Sequence, residues 1–481
     1  MALRSIRDLL PILDQIGRLQ RIKKPVDRMW EPAALAKWMF QALPDDKRFG
    51  LYFENVQGSA MPLAIGLLGN STEAYAAALG VKADEINDKW IDALNHPKKP
   101  VTVTKAACQE VVLTGKDAKL SLLPIPVWTP GKDAAPYITT NVVTRDADTG
   151  VQNFGVYRTQ VKDDHTVIIN ISPGRHATRN TETYTLRGKP APIAWVIGAA
   201  PAVHLAAVAN LAYGQDEIEV AGGLMGEPVA MVKCRTIDLM VPAEAEIVIE
   251  GELLPGVTDA EGPFGEFAGF MGPIDQKPVA RITAITHRQK PIYYGYSSQM
   301  PPSESTVIQS LSNAGLILHK LRDAHGERSV ADLAIDLTFG GLLAHGVVAM
   351  TPLYPGHAKQ IGRLVAAFAP LKRITIVDPD VDIRDPLHLE WALNARYNPV
   401  RDTVIIDDVF FPLHMDPSIR TNDPRSFSGS KIIQDATQKI DPGPFSLPPR
   451  EIMMKALEVW KDVGLPDFEI PKRARLRIEK S

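Results

Sequence analysis

Pro100-Val-Thr-Val-Thr104 is where the chain changes texture: before it apolar residues recur at helical intervals, and after it β-branched runs alternate with Gly, Pro and Asp. Downstream, Glu110-Val-Val-Leu-Thr114, Tyr137-Ile-Thr-Thr-Asn-Val-Val143, Thr166-Val-Ile-Ile-Asn-Ile171 and Glu246-Ile-Val-Ile-Glu250 read as strands of a β-rich middle. Upstream, Ser5-Ile-Arg-Asp8 has capping-box spacing, and Leu9, Leu10, Leu13, Ile16 and Leu19 follow at helical intervals toward a break near Gly17. A helix over 32–43, a strand over 51–56 and a helix over 71–79 complete an α/β opening region. The middle ends near Tyr293 to Tyr296, and a helical pattern over 303–320 could join two domains. Beyond it, Val347-Val-Ala-Met350, Arg373-Ile-Thr-Ile-Val377 and Thr403-Val-Ile-Ile406 alternate with helical stretches 357–368 and 388–395, which argues for a parallel α/β layer. Ser446 to Lys461 predicts a late helix, and the basic Lys472 to Lys480 a solvated arm.

At 481 residues, and about 150 per domain, the chain suggests two or three domains with real cores. Fifty-three Lys and Arg against 56 Asp and Glu give a net charge of −3, which argues against nucleic acid held by a general basic field. Cys108 and Cys234 are the only cysteines and no CxxC occurs, so a disulfide framework and a cysteine zinc site are excluded. The opening residues lack the apolar core of a signal peptide. The most apolar stretches, such as 340–350, fall short of the ~18 to 20 residues that span a bilayer. The expectation is a soluble cytoplasmic protein with no membrane partner. There is no Walker loop, GxGxxG turn, GxSxG elbow or HExxH helix.

What remains is polar residues in apolar, strand-rich surroundings, where charge is costly unless paired or used. Glu261-Gly-Pro-Phe-Gly-Glu266 puts two carboxylates on a Gly/Pro turn that leads into Phe267-Ala-Gly-Phe270, a pattern suited to proton transfer or simply to an acidic surface turn. Asn153 and Arg158 stand five apart in a strand-like stretch, able to grip one anion if the strand bends, or to end a strand against a surface acid. His176 lies in the loop Ser172-Pro-Gly-Arg-His-Ala-Thr-Arg179, and Glu217 in Asp216-Glu-Ile-Glu219. With Asn153 they would make an oxygen-rich site with one imidazole, fitting Mn²⁺ at a phosphate; a surface histidine is the plainer alternative. Asp378-Pro-Asp-Val-Asp-Ile-Arg-Asp385 lacks the glycine and terminal glutamate of a calcium loop and reads as a strand-end turn. Cys234, in Val232-Lys-Cys-Arg235, reads as a buried structural thiol.

Taken together, these segments resemble the UbiD family of prenylated-FMN-dependent decarboxylases over nearly the whole chain. The resemblance is carried by Asn153-x-x-x-x-Arg158, Pro173-Gly-Arg-His176, Val232-Lys-Cys-Arg-Thr-Ile-Asp-Leu-Met-Val-Pro-Ala243, Glu250-Gly251, Glu261-Gly-Pro-Phe-Gly-Glu266, Tyr354-Pro-Gly-His357 and Gly429-Ser-Lys-Ile-Ile-Gln-Asp-Ala-Thr437. It implies an α/β (α+β) fold: an N-terminal α/β domain (1–99), a central split β-barrel-like flavin domain (100–302), a linker helix (303–325), a C-terminal α/β domain (326–445) and a C-terminal helix with basic tail (446–481).

The resemblance also implies a carboxy-lyase: a reversible, non-oxidative decarboxylase of an aromatic, heteroaromatic or α,β-unsaturated carboxylic acid, working through covalent adducts of substrate with prenylated FMN. Losing CO₂ from an sp² carbon leaves charge that the ring cannot delocalise, and that cofactor would provide the electron sink. The alternatives are a physiological carboxylase and a non-catalytic flavin-binding subunit. Arg158, Glu261 and Glu266 are similar to the family's catalytic set. Asn153, Phe154, Gly155, Arg158, Arg175, His176 and Glu217 would bind cofactor, with Asn153, His176 and Glu217 on Mn²⁺ or Mg²⁺. Phe154 stands where some members carry Trp, and Ala206, Ala207 and Ala209 occupy the stretch that supplies a K⁺ site. Met300, Pro301, Ile432, Ile433 and Gln434 would face substrate, Gln434 falling where an apolar residue is common. Implied partners are the acid substrate, CO₂, a flavin prenyltransferase as cofactor supplier, and further copies of the chain as homodimer or homohexamer.

Overall fold

The structure, a computed structural model, describes residues 2–172, 174–338, 345–410 and 428–480. Pro173 and part of the apolar stretch 340–350, both quoted above, lie outside the described residues. Residues up to Leu316, with 337–338, form one compact unit; 317–336 and the residues from 345 onward form a second.

In the first unit a short helix Leu10–Gln15 stops at Gly17, whose φ of +69° ends the turn, so Leu19 lies in strand Leu19–Ile22 and not in the helix its spacing suggested. That strand pairs in parallel with Gly50–Phe53, which pairs with Leu63–Ile65; the sheet is completed by Tyr293–Gly295, from far along the chain. This return strand is why the opening region and the β-rich middle, separable by texture, share one core running from Ile6 to Leu316. Helix Glu31–Ala42 follows the first strand, and helices Thr72–Leu79 and Ile86–Asn95 follow the third.

The middle is a nine-stranded sheet. Its path runs Tyr137–Ile138, Thr159–Val161, Thr166–Ile169, Asp275–His287, Ile247–Glu261, Ala191–Ile197, Asn141–Arg145, Gln152–Val156, with Val111–Thr114 on the outside of Asp275–His287. Gln152–Val156 ends one side of this order and Thr159–Val161 lies next to the other end, yet only Tyr157 and Arg158 separate them. Three Cα steps reach at most about 11 Å, so the sheet must curl back on itself. Trp195 fixes the curl: fully buried on strand Ala191–Ile197, its indole nitrogen donates to Thr159 Oγ1 at 2.8 Å across the interior. Ile193, Val196, Ile197, Val248 and Ile249 are also fully buried, each contributing about 1.5 to 3 kcal/mol.

Helix Glu304–His319 begins in the first unit and ends in the second. The second unit's sheet runs Val330–Ile335, His345–Met350, Arg373–Val377, Ser428–Asp435, Thr403–Phe410. Its three inner strands are parallel and both edges antiparallel, so the parallel layer the sequence suggested is a mixed sheet. The aspartates of 378–385 form the turn after Arg373–Val377, where Arg396 grips Asp378 at 2.9 Å and Asp380 at 2.8 and 2.7 Å. The basic tail is not a solvated arm: Lys472–Glu479 is helical, Lys480 Nζ donates to Asp380 at 2.9 Å and Arg473 pairs with Asp385. Acidic turn and basic tail neutralise each other, a pairing between segments about 90 residues apart that a local reading has no access to.

Candidate active site

Arg158 sits on the two-residue link where the sheet closes. Its guanidinium lies along Glu261, Nε donating to Oε1 at 2.8 Å and Nη2 to Oε2 at 2.9 Å, while Nη1 donates to Glu266. Glu261 ends the strand Ile247–Glu261 and is fully buried; Asn170 Nδ2 donates to its Oε2 at 3.2 Å. A buried carboxylate is tolerable because the planar fork of arginine satisfies both its oxygens at once. Burial alone would lower the guanidinium; Glu266 and Glu261 outweigh it and hold the group raised and charged. The face of Phe264, 5.1 Å from Arg158 Cζ, adds cation–π attraction and packs in turn on Tyr137.

The turn after Glu261 is shaped by its glycines. Gly262 has φ of +98°, which lets the chain leave the strand end abruptly. A Cβ on Gly272 would stand 2.7 Å from Glu266 Oε1, so only glycine leaves that carboxylate its place. Glu266 N donates to Phe270 O, and Gly272 N to Phe264 O, both at 2.7 Å. Glu266 keeps 22% of its side chain exposed, against none for Glu261. Glu261 is thus sealed behind the guanidinium, and Glu266 is the carboxyl group with open space before it.

A second cluster lies one strand-length away. Asn153 is on strand Gln152–Val156; Glu217 opens helix Glu217–Met225 and its Oε2 accepts from Phe154 N at 3.2 Å. Burial pushes the Glu217 carboxyl up to about 8, with only backbone amides opposing it. Asn153 Nδ2 is buried without a partner among the described residues. His176 is not in a loop as expected but is the first residue of helix His176–Thr185, with Arg175 at the cap. Burial, then Arg175 and Arg179, lower its imidazole, leaving the neutral form that binds metals. The Tyr157 ring covers Gly155, and Arg175, the Ala177 amide and Glu217 all act on its hydroxyl, which ties the cluster together.

No group of three His, Cys, Asp or Glu side chains gathers among the described residues, so a divalent ion here would need the Asn153 amide as a ligand. A buried carboxyl with no cationic side chain bonded to it among the described residues, an amide oxygen on Asn153 and a neutral imidazole at a helix N-terminus fit a hard-to-borderline divalent ion at a phosphate. At the proposed K⁺ stretch, the Ala206 and Ala209 carbonyls already accept from Ala209 N and Leu211 N.

Met300 and Pro301 are brought to the Glu266 turn: a Cβ on Gly269 would meet Met300 Sδ at 3.0 Å and Pro301 Cδ at 3.2 Å. The Ile432 to Gln434 stretch belongs to the second unit. Ile433 is fully buried under helix His357–Phe368, against Gly362, which makes it a core residue and not a substrate wall. Gln434 is half-exposed, and its amide oxygen accepts from Arg373 Nε at 2.6 Å, so the demand that pointed to a polar substrate group is met locally. Ile432 is also only partly buried. The sequence reading missed Asn170 and Tyr157, and also Gln160, whose Oε1 accepts from Gly262 N at 2.9 Å, and Asp133, whose Oδ1 accepts from Gly265 N at 3.2 Å. An isolated polar residue such as Asn170 at the end of an apolar strand run was the one available signal. Cys108 and Cys234 are both buried, and burial pushes the Cys108 thiol up to about 12 and Cys234 higher.

Three family models match in succession: the 3-octaprenyl-4-hydroxybenzoate carboxy-lyase N-terminal domain over 10–94, its Rift-related domain over 99–301 and its C-terminal domain over 316–436. The UbiD-class enzyme HmfF from Pelotomaculum thermopropionicum, solved in complex with prFMN, is 33% identical with a TM-score of 0.81, over 92% of this chain and 97% of that one. Vanillic acid decarboxylase from Sedimentibacter hydroxybenzoicus is 29% identical with a TM-score of 0.83, over 96% of this chain and 100% of that one. An uncharacterised protein of Synechocystis is 31% identical over 91% of this chain and 90% of its own length. The family models and the solved neighbours make this chain a carboxy-lyase of mixed α/β fold with a curled, half-barrel sheet. The chain belongs to the UbiD family.

Proposed function

We propose that this chain is a reversible, non-oxidative decarboxylase of an aromatic, heteroaromatic or α,β-unsaturated carboxylic acid, dependent on prenylated FMN. The observation that carries the reading is the Arg158 guanidinium, pinned along one edge by sealed Glu261 and turned by its other edge to accessible Glu266. Prenylated FMN, when bound, supplies the electron sink for the carbon that loses CO₂. Asn153, His176 and Glu217 would hold a divalent ion, Mn²⁺ or Mg²⁺, at its phosphate, with Phe154, Gly155 and Arg175 beside it; K⁺ near Ala206 to Ala209 is the further ion proposed.

Arg158 binds and orients the substrate carboxylate. To do so its Nη1 exchanges Glu266 for the substrate carboxylate, while the two bonds to Glu261 hold the guanidinium in place. Glu266, released from Arg158, takes up a proton from solvent and delivers it to the vacated carbon in place of CO₂. Met300 and Pro301 supply an apolar wall beside the Glu266 turn. Relatives that decarboxylate vanillic acid and 3,4-dihydroxybenzoic acid support an aromatic acid as substrate. Direction follows mass action, so high CO₂ favours carboxylation at the same site.

A homo-oligomer is part of the proposal, since helix Arg450–Asp462 has no buried residue and exposes Ile452, Met454 and Val459. Among the described residues no helix is long and apolar enough to cross a membrane, and a cytoplasmic location is proposed. Anaerobic co-expression with a flavin prenyltransferase, then a panel of aromatic and acrylic acids assayed in D₂O, tests the reading. CO₂ release with deuterium at the vacated carbon is expected; cofactor-loaded protein inert toward every acid, and unable to exchange label from ¹³CO₂, would sink it.

A further inference from the structure

Two side chains one helical turn apart on helix Glu31–Ala42 reach the same distant loop. Lys37 Nζ donates to Ser298 O and to Gln299 Oε1, each at 2.6 Å. Gln41 Nε2 donates to the carbonyl oxygens of Met300, Pro301 and Pro302 at 3.1, 3.2 and 3.4 Å. This loop is pressed against the turn that carries Glu266. A Cβ on Gly265, the residue before Glu266, would stand 2.5 Å from Gln299 Cγ.

Gln299 is held under tension. It is 3% exposed and has φ of +66°, a left-handed conformation that strains a residue carrying a Cβ. Its Nε2 has no partner among the described residues, so its Oε1 bond to Lys37 is what sets the amide's orientation. Asp133 Oδ1 accepts from Gly265 N at 3.2 Å, and Thr129 Oγ1 would stand 2.8 Å from the same added Cβ. The backbone of Gly265 is therefore bonded to Asp133 and packed against Gln299, and Asp133 is the charged group that acts on Lys37.

We infer that Lys37 is a positioning residue for the decarboxylation site: through Gln299 it holds the backbone at Gly265 and so sets where Glu266 presents its carboxyl group. The effect on turnover rests on the role proposed for Glu266; the hold on the turn does not. An ammonium on a flexible stem suits this task, because it bonds a backbone carbonyl and an amide oxygen at once without filling space. Burial pushes it down to about 7, and the ammonium and the neutral amine can both donate the two bonds.

The test uses Lys37→Met, Lys37→Arg and Gln299→Leu, the last removing the amide oxygen while keeping apolar contact with Gly265. In cofactor-free protein, hydrogen exchange read by mass spectrometry should be at least about tenfold faster over 261–272 in Lys37→Met and Gln299→Leu, with helix 304–319 unchanged. In cofactor-loaded enzyme, kcat per bound flavin should fall about tenfold or more with KM within about twofold, and Lys37→Arg should restore much of it. Unaltered exchange in both variants overturns the proposal, as does a lower melting temperature with normal exchange and normal kcat, which would make Lys37 a fold-stabilising residue only. Faster exchange in a protein whose wild type decarboxylates nothing would uphold the hold on the turn and count against the decarboxylase reading instead. If Lys37→Met fails to fold, Gln299→Leu alone carries both measurements.

Discussion

Arg158 and Glu261 are 103 residues apart in sequence and meet as a two-bond pair, Nε to Oε1 at 2.8 Å and Nη2 to Oε2 at 2.9 Å. The pair brings the seam of the curled sheet, where Arg158 lies, to the end of its longest strand, where Glu261 lies. Fold closure and site assembly are therefore one event: the guanidinium cannot reach Glu261 unless the sheet has curled.

Glu266→Gln should keep flavin and divalent metal at wild-type occupancy and lower turnover by about a hundredfold or more. The amide preserves shape and a bond from Arg158 but delivers no proton. Near-normal turnover measured under saturating substrate would remove Glu266 from the proton-transfer role.

Glu261→Leu leaves a guanidinium in a largely buried place with only Glu266 as counterion. Breaking a buried pair from one side costs about 3 kcal/mol, so urea unfolding should show a loss of that order together with lost activity. Glu261→Gln, able to keep one oxygen acceptor toward Arg158, should lose clearly less stability. Equal stability of Glu261→Leu and wild type would mean that the pair does not hold the seam.

His176→Ala and Glu217→Gln should each reduce bound Mn²⁺ about tenfold or more and carry flavin down with it, by loss of a ligand and of the phosphate's counter-charge. Elemental analysis beside flavin absorbance on the purified variants gives the answer. Full flavin occupancy in metal-free protein would refute the ligand assignment.

Lys37 gives a pH signature of its own. In the folded protein it releases its proton near 7, against 10.5 for an ordinary lysine, because of burial. Between those values the unfolded chain holds a proton that the folded one has lost, so stability rises with pH through this window. The rise is at most about 1.4 kcal/mol per pH unit for one proton. Urea midpoints of wild type and Lys37→Met should therefore diverge in favour of wild type from pH 7 to 10. Parallel curves would show that Lys37 titrates as an exposed lysine.

The sequence by itself determined the local structure and the inventory of chemistry. Periodicity marked helices such as Thr72–Leu79 and His357–Phe368, and β-branched runs marked the strands, because both signals act over a few residues. Glu261, Glu266 and Arg158 stood out because charge embedded in apolar strand sequence needs a reason. What the tertiary structure alone decided is which of those groups meet. Strand order put Arg158 at a closure spanned by two residues, returned Tyr293–Gly295 to the first sheet and folded the basic tail onto Asp380 and Asp385. It buried Ile433 in a core and gave Gln434 a local arginine, although the sequence offered both as substrate contacts. It also carried Lys37, on helix Glu31–Ala42, to a loop 261 residues onward, behind Glu266. No local pattern encodes such pairings. They follow from the requirement that every apolar face be covered and every buried polar group find its partner, a condition set by the whole chain.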